Sequence, residues 1–195
     1  MREIWIIRHG QTDMNRKGAY FGSLDVPLNE AGRQQAHALR ARIAWPVFDL
    51  RLSSPLQRAM ETAAIVQPEI RFIEEPALAE RAFGLWEGMT ADEIRNADPS
   101  GWAVWTADWE NARPEGGESL LEMWARISAF FGSLLERSDW QRALLVSHAG
   151  PIRCLIAAAL QQPPDGLWRF APENAALSTL CVNEEGYAWL SALNR

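Results

Sequence analysis

Apolar positions along the chain recur with two rhythms, and the order in which these alternate constrains the fold. Glu3 to Ile7 is a β-branched and aromatic run followed by a polar, glycine-containing loop, the pattern of a buried strand. Asn29 then precedes Glu30, Ala31, Gly32, Gln35, Ala36, Leu39 and Ile43, which predicts an amphipathic helix with an asparagine cap, ended by Pro46. Val47 to Leu52 predicts a second short strand. Ser53 and Ser54 offer caps and Pro55 suits the first turn of a helix reaching about Gln67, with a third strand expected at Ile70 to Ile73. Further on, Glu118 to Glu136 predicts a long helix signalled by Gly116 and Gly117, its apolar face traced by Leu120, Trp124, Ile127, Phe131 and Leu134. Ala143 to Val146 reads as a strand, Ser147 to Gly150 as a turn, and Pro151 as the opening of a helix through Leu160. The chain closes with a hairpin pattern, Ala176 to Val182 against Tyr187 to Leu193 across Asn183 to Gly186.

Two successive strand, helix, strand units favour an α/β sheet with right-handed crossovers, completed by the antiparallel C-terminal hairpin. The expected architecture is a three-layer sandwich: a mainly parallel central sheet flanked by helices, with residues 1–195 forming one domain. Thr90 to Pro114 carries Trp102, Trp105 and Trp109 among polar residues, so 84–117 is expected to form a helical lid over the sheet.

Composition narrows the function classes. At 48% hydrophobic and 23% charged, the 195 residues are far from the signature of a disordered chain. A net charge of -6 argues against general attraction to nucleic acid or an acidic membrane face, so a bound anion must meet a local positive cluster. Cys154 and Cys181 form no CxxC pair and are expected to be buried free thiols; no metal site has sequence support. The apolar run Ile4 to Ile7 is too short for a signal-peptide core, and Cys154 to Leu160 is too short to span a bilayer. A cytoplasmic protein with no membrane partner is the expectation, its oligomeric state open.

Chemistry gathers at strand ends. Arg8, His9 and Gly10 follow the first strand directly, with Gln11, Thr12, Asp13 and Asn15 close behind; Arg58 stands four residues after Ser54, where a helix dipole favours an anion; and His148 follows Val146 by two residues. Two of the three histidines thus sit at glycine-containing turns after apolar strands, whereas His37 lies within the first amphipathic helix and reads as a surface residue.

Arg8-His9-Gly10-Gln11-Thr12, Ser53-Ser54-Pro55 through Arg58, the Glu80 segment LAERAFGLWEG and Ser147-His148-Ala149-Gly150 resemble the histidine phosphatase superfamily, which includes cofactor-dependent phosphoglycerate mutases. The motifs run from 8 to 150 in the family's order, and DVPLNEAGRQQA resembles another of its segments. Ala149 departs from the second glycine of many members, but is small enough to leave the turn intact. The resemblance implies a metal-independent phosphomonoesterase without cofactor, acting on a small-molecule phosphate ester. Arg8 and Arg58 would be forks around the phosphate oxygens, His9 the nucleophile that becomes phosphohistidine, and His148 a further donor. Glu80 would protonate the leaving alkoxide, since the like charge of a phosphate dianion favours the acid form of a neighbouring carboxyl. Glu74, Glu75 and Glu87 surround it as a cluster that ordinarily means a solvated face.

Asn15, Phe21, Gly22, Ser23 and Ala149 match the family's substrate contacts, with Gly22 expected to let the backbone approach the ligand. More narrowly, GAYFGS at 18–23, the tryptophan-rich 101–119, LWRF at 167–170 and the ending LSALNR resemble the α-ribazole phosphatases of that superfamily. That implies α-ribazole 5'-phosphate as substrate, in cobalamin biosynthesis, with tryptophans available to stack on its base. A broad phosphatase of small esters, a phosphoglycerate mutase and, from another class, a non-catalytic phosphate-binding module are the alternatives. The short chain favours hydrolysis over mutation.

Overall fold

The computed structural model describes residues 1–195. Strand β1 (Arg2–Arg8) leads through a short helix, α1 (Asp13–Lys17), to α2 (Glu30–Arg42). Asn29 caps α2 by accepting from the Gly32 amide at 2.9 Å, an interaction worth about 1 kcal/mol at such a position. Strand β3 (Leu50–Ser53) and helix α3 (Gln57–Val66) follow β2 (Ala19–Tyr20) in strand order, and β4 is only Ile73–Glu74. Strand β5 (Met89–Thr90) pairs with β2 in a separate two-stranded ribbon, followed by α4 (Ala91–Ala97) and α5 (Pro99–Ala107). Helix α6 (Leu120–Glu136), β6 (Arg142–Ser147), α7 (Ala149–Ala159) and the hairpin β7 (Leu177–Val182) and β8 (Ala188–Ala192) complete the chain.

The six-stranded sheet has the order β4-β3-β6-β1-β7-β8. β4, β3, β6 and β1 run parallel, while β7 and β8 are antiparallel additions. Side chains of successive strand residues enter opposite layers, as the period of two requires. Ile4, Ile6, Ala143 and Leu145 pack toward α6 and α7, whereas Ile7, Leu144 and Val146 pack toward α2 and α3. The three-layer sandwich is therefore the observed architecture, with β1 and β6 side by side at its centre. Their carboxyl ends carry Arg8, His9 and His148, the edge where ligands sit in open α/β sheets.

Several boundaries differ from the sequence expectation. The second strand begins at Leu50 rather than Val47, and the third is confined to Ile73–Glu74 because it is an edge paired only with Leu52 and Ser53. Helix α3 starts at Gln57, after Pro55; Ser53 stays in the strand, and the Ser54 hydroxyl both accepts from the Leu56 amide just ahead of the helix, at 3.3 Å, and meets His148. The start of α6 is set not by the two glycines but by a capping box in which Ser119 and Glu122 satisfy each other's amides. Its deeply buried face is Leu120, Met123, Ile127, Phe130 and Leu134, one residue away from the predicted Trp124 and Phe131, which are half-buried. Helix α7 opens two residues before Pro151, with His148 as its N-cap.

Residues 84–117 leave and rejoin the fold at one place. The Leu85 amide donates to Glu115 O at 3.0 Å and the Glu118 amide to Ala82 O at 2.9 Å, so the excursion is closed at its base. Both cysteines are buried free thiols, His37 is exposed, and no helix is long and apolar enough to cross a membrane.

Candidate active site

Parallel pairing of β1 with β6 sets Arg8 opposite Ser147, so the residues that follow, His9 and His148, emerge together. Their ring centroids are 5.0 Å apart and both are buried. His9 Nδ1 lies 2.7 Å from Gly10 O. A carbonyl only accepts, so Nδ1 carries the hydrogen and Nε2 holds the free lone pair. Burial, then the positive charges of Arg58 and Arg8, hold the His9 pKa well below 6.5, which keeps that lone pair available at neutral pH.

Arg58 is fully buried in α3, an unusual place for a charge. Its Nη1 donates to Leu24 O at 2.9 Å, its Nη2 to Gly22 O at 2.7 Å and its Nε to His148 Nδ1 at 3.2 Å. Three of five guanidinium hydrogens are thereby placed, and one on each terminal nitrogen remains for a ligand. Phe21 packs beneath, its ring 4.8 Å from the guanidinium carbon and 6.4 Å from the His9 ring. Burial pulls the Arg58 pKa down from its usual value, opposed by Glu80, Asp25 and Glu87. Arg8 donates Nη1 to Pro172 O at 2.9 Å, while its Nε is buried without a partner. An orphaned guanidinium donor beside His9 is costly unless an anion supplies the acceptor.

His148 accepts from Arg58 at Nδ1, so its hydrogen sits on Nε2, 2.7 Å from Ser54 Oγ. Burial, His9, Arg58 and Arg8 push its pKa well below 6.5, so the ring is neutral. Glu80 reaches the same rim: its Oε1 accepts from the Arg81 amide at 2.9 Å and its Oε2 from the Gly150 amide at 3.1 Å. A Cβ on Gly150 would overlap Glu80 Oε1, so glycine here makes room for the carboxyl at the start of α7. His9, Arg8, Arg58, His148 and Glu80, predicted from separate segments, thus surround one end of the sheet.

The predicted substrate loop has a different internal logic. Ser23 is exposed, and its hydroxyl and amide both donate to Glu87 Oε1, at 2.8 and 2.9 Å. A Cβ on Gly22 would overlap the Arg81 carbonyl, so this glycine permits close approach of two backbone segments rather than of backbone and ligand. Asn15 forms the capping box of α1: its Oδ1 accepts from the Thr12 amide at 3.0 Å, leaving Nδ2 as its free end. Ala149 is half-buried at the mouth of a cavity of ≈250 Å³.

That cavity adjoins Glu80 and is walled by aromatic groups: Tyr20, Phe83, Trp105, Trp109 and Trp168. Trp109 and Trp168 meet edge to face with centroids 5.6 Å apart, and the Arg81 guanidinium lies 4.1 Å from the Trp105 ring centroid. Trp102 is set behind the wall, against Tyr20 and Trp86. A larger pocket of ≈700 Å³ between α3 and β4 is lined mainly by apolar side chains, with Arg71 and Glu74, and lacks the histidines that the chemistry needs. No group of three or more His, Cys, Asp and Glu side chains is arranged to hold a metal.

Sequence reasoning missed the polar groups that hold the candidate catalytic side chains. Thr62 accepts from the Gly10 amide at 3.0 Å and donates to Arg58 O at 2.7 Å; Asn174 Nδ2 donates to His9 O at 2.9 Å. A threonine one turn after Arg58 on the apolar side of α3 was a readable signal, because a buried hydroxyl demands partners. Glu87, taken for part of a solvated face, is instead tied to the loop at 22–24.

The family model described as histidine phosphatase superfamily (branch 1) matches residues 4–194. The chain belongs to the histidine phosphatase superfamily. Among members of that superfamily, it is 37% identical over 194 residues to the adenosylcobalamin/alpha-ribazole phosphatase of Salmonella typhimurium, covering 98% of this chain and 95% of that protein. The crystal structure of the alpha-ribazole phosphatase from Shigella flexneri superposes with a TM-score of 0.94 at 33% identity, covering 99% of this chain and 96% of that one. Phosphoserine phosphatase 1 of Hydrogenobacter thermophilus is 30% identical over 186 residues, 94% of this chain and 88% of that protein.

Proposed function

We propose that this histidine phosphatase hydrolyses phosphate monoesters through a phosphohistidine on His9, with α-ribazole 5'-phosphate as its substrate. The observation that carries the reaction is the lone pair of His9 Nε2, fixed by the Nδ1–Gly10 hydrogen bond and set beside two arginines that retain free donors.

In the first step Nε2 attacks phosphorus in line as the bond to the ester oxygen breaks. Glu80 delivers a proton to the departing oxygen, and Arg8 and Arg58 bind the non-bridging oxygens as their charge redistributes. In the second step water attacks the phosphohistidine, Glu80 takes the water's proton, and the N–P bond breaks to release inorganic phosphate and restore His9. His148 is neutral as long as Arg58 and Arg8 dominate its surroundings; the two negative charges of a phosphate group offset these cations, and protonation would then add a donor. Asn15 Nδ2, Phe21 and Ala149 would be the remaining substrate contacts, since the Gly22 and Ser23 amides are already given to Glu87.

The leaving group would occupy the cavity next to Glu80, whose aromatic walls suit a flat heteroaromatic base. The whole-length similarity to α-ribazole phosphatases points the same way. With residues 1–195 read as one domain, 84–117 serves as the lid that brings Trp105 and Trp109 over this cavity. The test is a panel of phosphate esters: α-ribazole phosphate is expected to give the highest kcat/KM. A constant no better than those of phosphoserine and simple sugar phosphates would remove the substrate assignment while leaving the phosphatase.

A further inference from the structure

Glu87 stands at the end of the 3₁₀ turn Gly84–Trp86, with a half-buried carboxylate that receives five hydrogen bonds. The amides of Gly22, Ser23, Leu24 and Phe83 donate at 2.8, 2.9, 3.1 and 2.8 Å, and the Ser23 hydroxyl at 2.8 Å. Burial alone would raise the Glu87 pKa, but the donors from Phe83, Gly22 and Ser23 outweigh it and hold the group below its usual range as an anion. Three consecutive loop amides converging on one carboxylate leave the Gly22 and Leu24 carbonyls directed the other way, and these are the two that accept from Arg58.

We infer that Glu87 is a positioning residue for phosphoryl transfer, fixing the Gly22–Leu24 loop so that its carbonyls hold the Arg58 fork toward the phosphate. The inference rests on the reading of Arg58 as a phosphate ligand. Glu87 touches no reacting atom; it works through the loop. Because the two acceptors on Arg58 use one hydrogen of each terminal nitrogen, a shift of the loop reorients the remaining hydrogens. Lid and site are linked by the same carboxylate, since Glu87 directly precedes Gly88, whose amide donates to Tyr20 O at 2.7 Å where the β2–β5 ribbon begins.

The experiment is a double-mutant cycle on the full-length chain, with p-nitrophenyl phosphate as substrate and thermal melts of each variant. Glu87→Ala is expected to lower kcat/KM by about 10²-fold, the scale of an ångström-sized misplacement of a catalytic group. In an Arg58→Ala background the same change is expected to cost less than about threefold, because the group it positions is gone. A purely structural role would instead lower the melting temperature and cost the same in both backgrounds. Should Glu87→Ala not fold, Glu87→Gln serves, as it keeps one acceptor and turns a donor against the loop amides. Inorganic phosphate provides a readout independent of turnover: its stabilisation of the wild-type melt is expected to shrink in Glu87→Ala, and to be the same in the double variant as in Arg58→Ala alone. Failure of the wild type to hydrolyse any phosphate ester would count against the functional reading, whereas the phosphate-binding cycle would still judge Glu87. Wild-type kcat/KM in folded Glu87→Ala, or an undiminished loss without Arg58, would overturn the role.

Discussion

Arg58 donates its Nε hydrogen to Nδ1 of His148 across 3.2 Å, joining a helix to a strand end 90 residues further along the chain. The bond requires His148 to be an acceptor on that side, and its single ring hydrogen is then committed to Ser54 Oγ. A proton added to Nδ1 would face a guanidinium hydrogen. The two residues therefore set each other's state: a charged fork beside an obligatorily neutral imidazole, unless new negative charge arrives.

A pH dependence of stability follows. His9 and His148 are both depressed well below 6.5, chiefly by burial and then by neighbouring cations, so the folded chain leaves them neutral where the unfolded chain protonates them. As pH falls through about 6.5 the unfolded state takes up protons that the folded state refuses, and stability drops by about 1.4 kcal/mol per pH unit for each imidazole. Above that range these two groups contribute no slope. Urea unfolding between pH 7.5 and 5.5 is expected to show this loss, with a smaller slope in His148→Asn. Equal stability at both pH values would mean that the imidazoles are not held neutral.

Replacing Glu80 with Gln removes the proposed proton donor while keeping an oxygen for the Arg81 or Gly150 amide. For an alkyl phosphate the expected loss in kcat is about 10²- to 10⁴-fold, the usual worth of general acid catalysis. For p-nitrophenyl phosphate, whose leaving group departs without protonation, the loss in the first step is expected to be much smaller. A series of esters of graded leaving-group pKa measures the difference, and equal losses across the series would assign the acid to another residue.

Trp168 is 57% exposed at the cavity edge, with the Arg153 guanidinium over its ring and Trp109 edge to face against it. Its removal should therefore leave the fold intact. Trp168→Ala is expected to raise KM for α-ribazole phosphate about fivefold or more, from lost stacking, with KM for p-nitrophenyl phosphate shifted less. Steady-state kinetics on the two substrates decide it. Equal changes would place the base elsewhere.

Strand ends were legible because β1 and β6 are continuous apolar runs whose chemistry follows directly, at Arg8 and His9 and at His148. The hairpin and α2 were equally plain, each having both a periodic body and a terminal signal. Helix α6 was read with its face turned because apolar pairs at Met123 and Trp124, and at Phe130 and Phe131, offer two nearly equal stripes, and only packing against α7 chooses between them. The scaffold of the site was hidden for a different reason. Glu87 binds backbone amides some 63 to 65 residues away, and backbone donors have no residue type to read. The Ser54 hydroxyl serves both the Leu56 amide ahead of α3 and His148, and only the fold brings the second partner to it. Gly22 was rightly suspected of permitting a close approach, but the neighbour is Arg81.

The central claim is that phosphate passes through His9, and rapid acid-free quenching after mixing with a ³²P-labelled phosphate ester tests it most directly. The wild type is expected to carry label on His9, stable to base and lost in acid, while His9→Ala carries none and loses at least about 10⁴-fold in kcat, as removal of an enzyme nucleophile commonly does. Label on a different residue, or undiminished hydrolysis by His9→Ala, would contradict it.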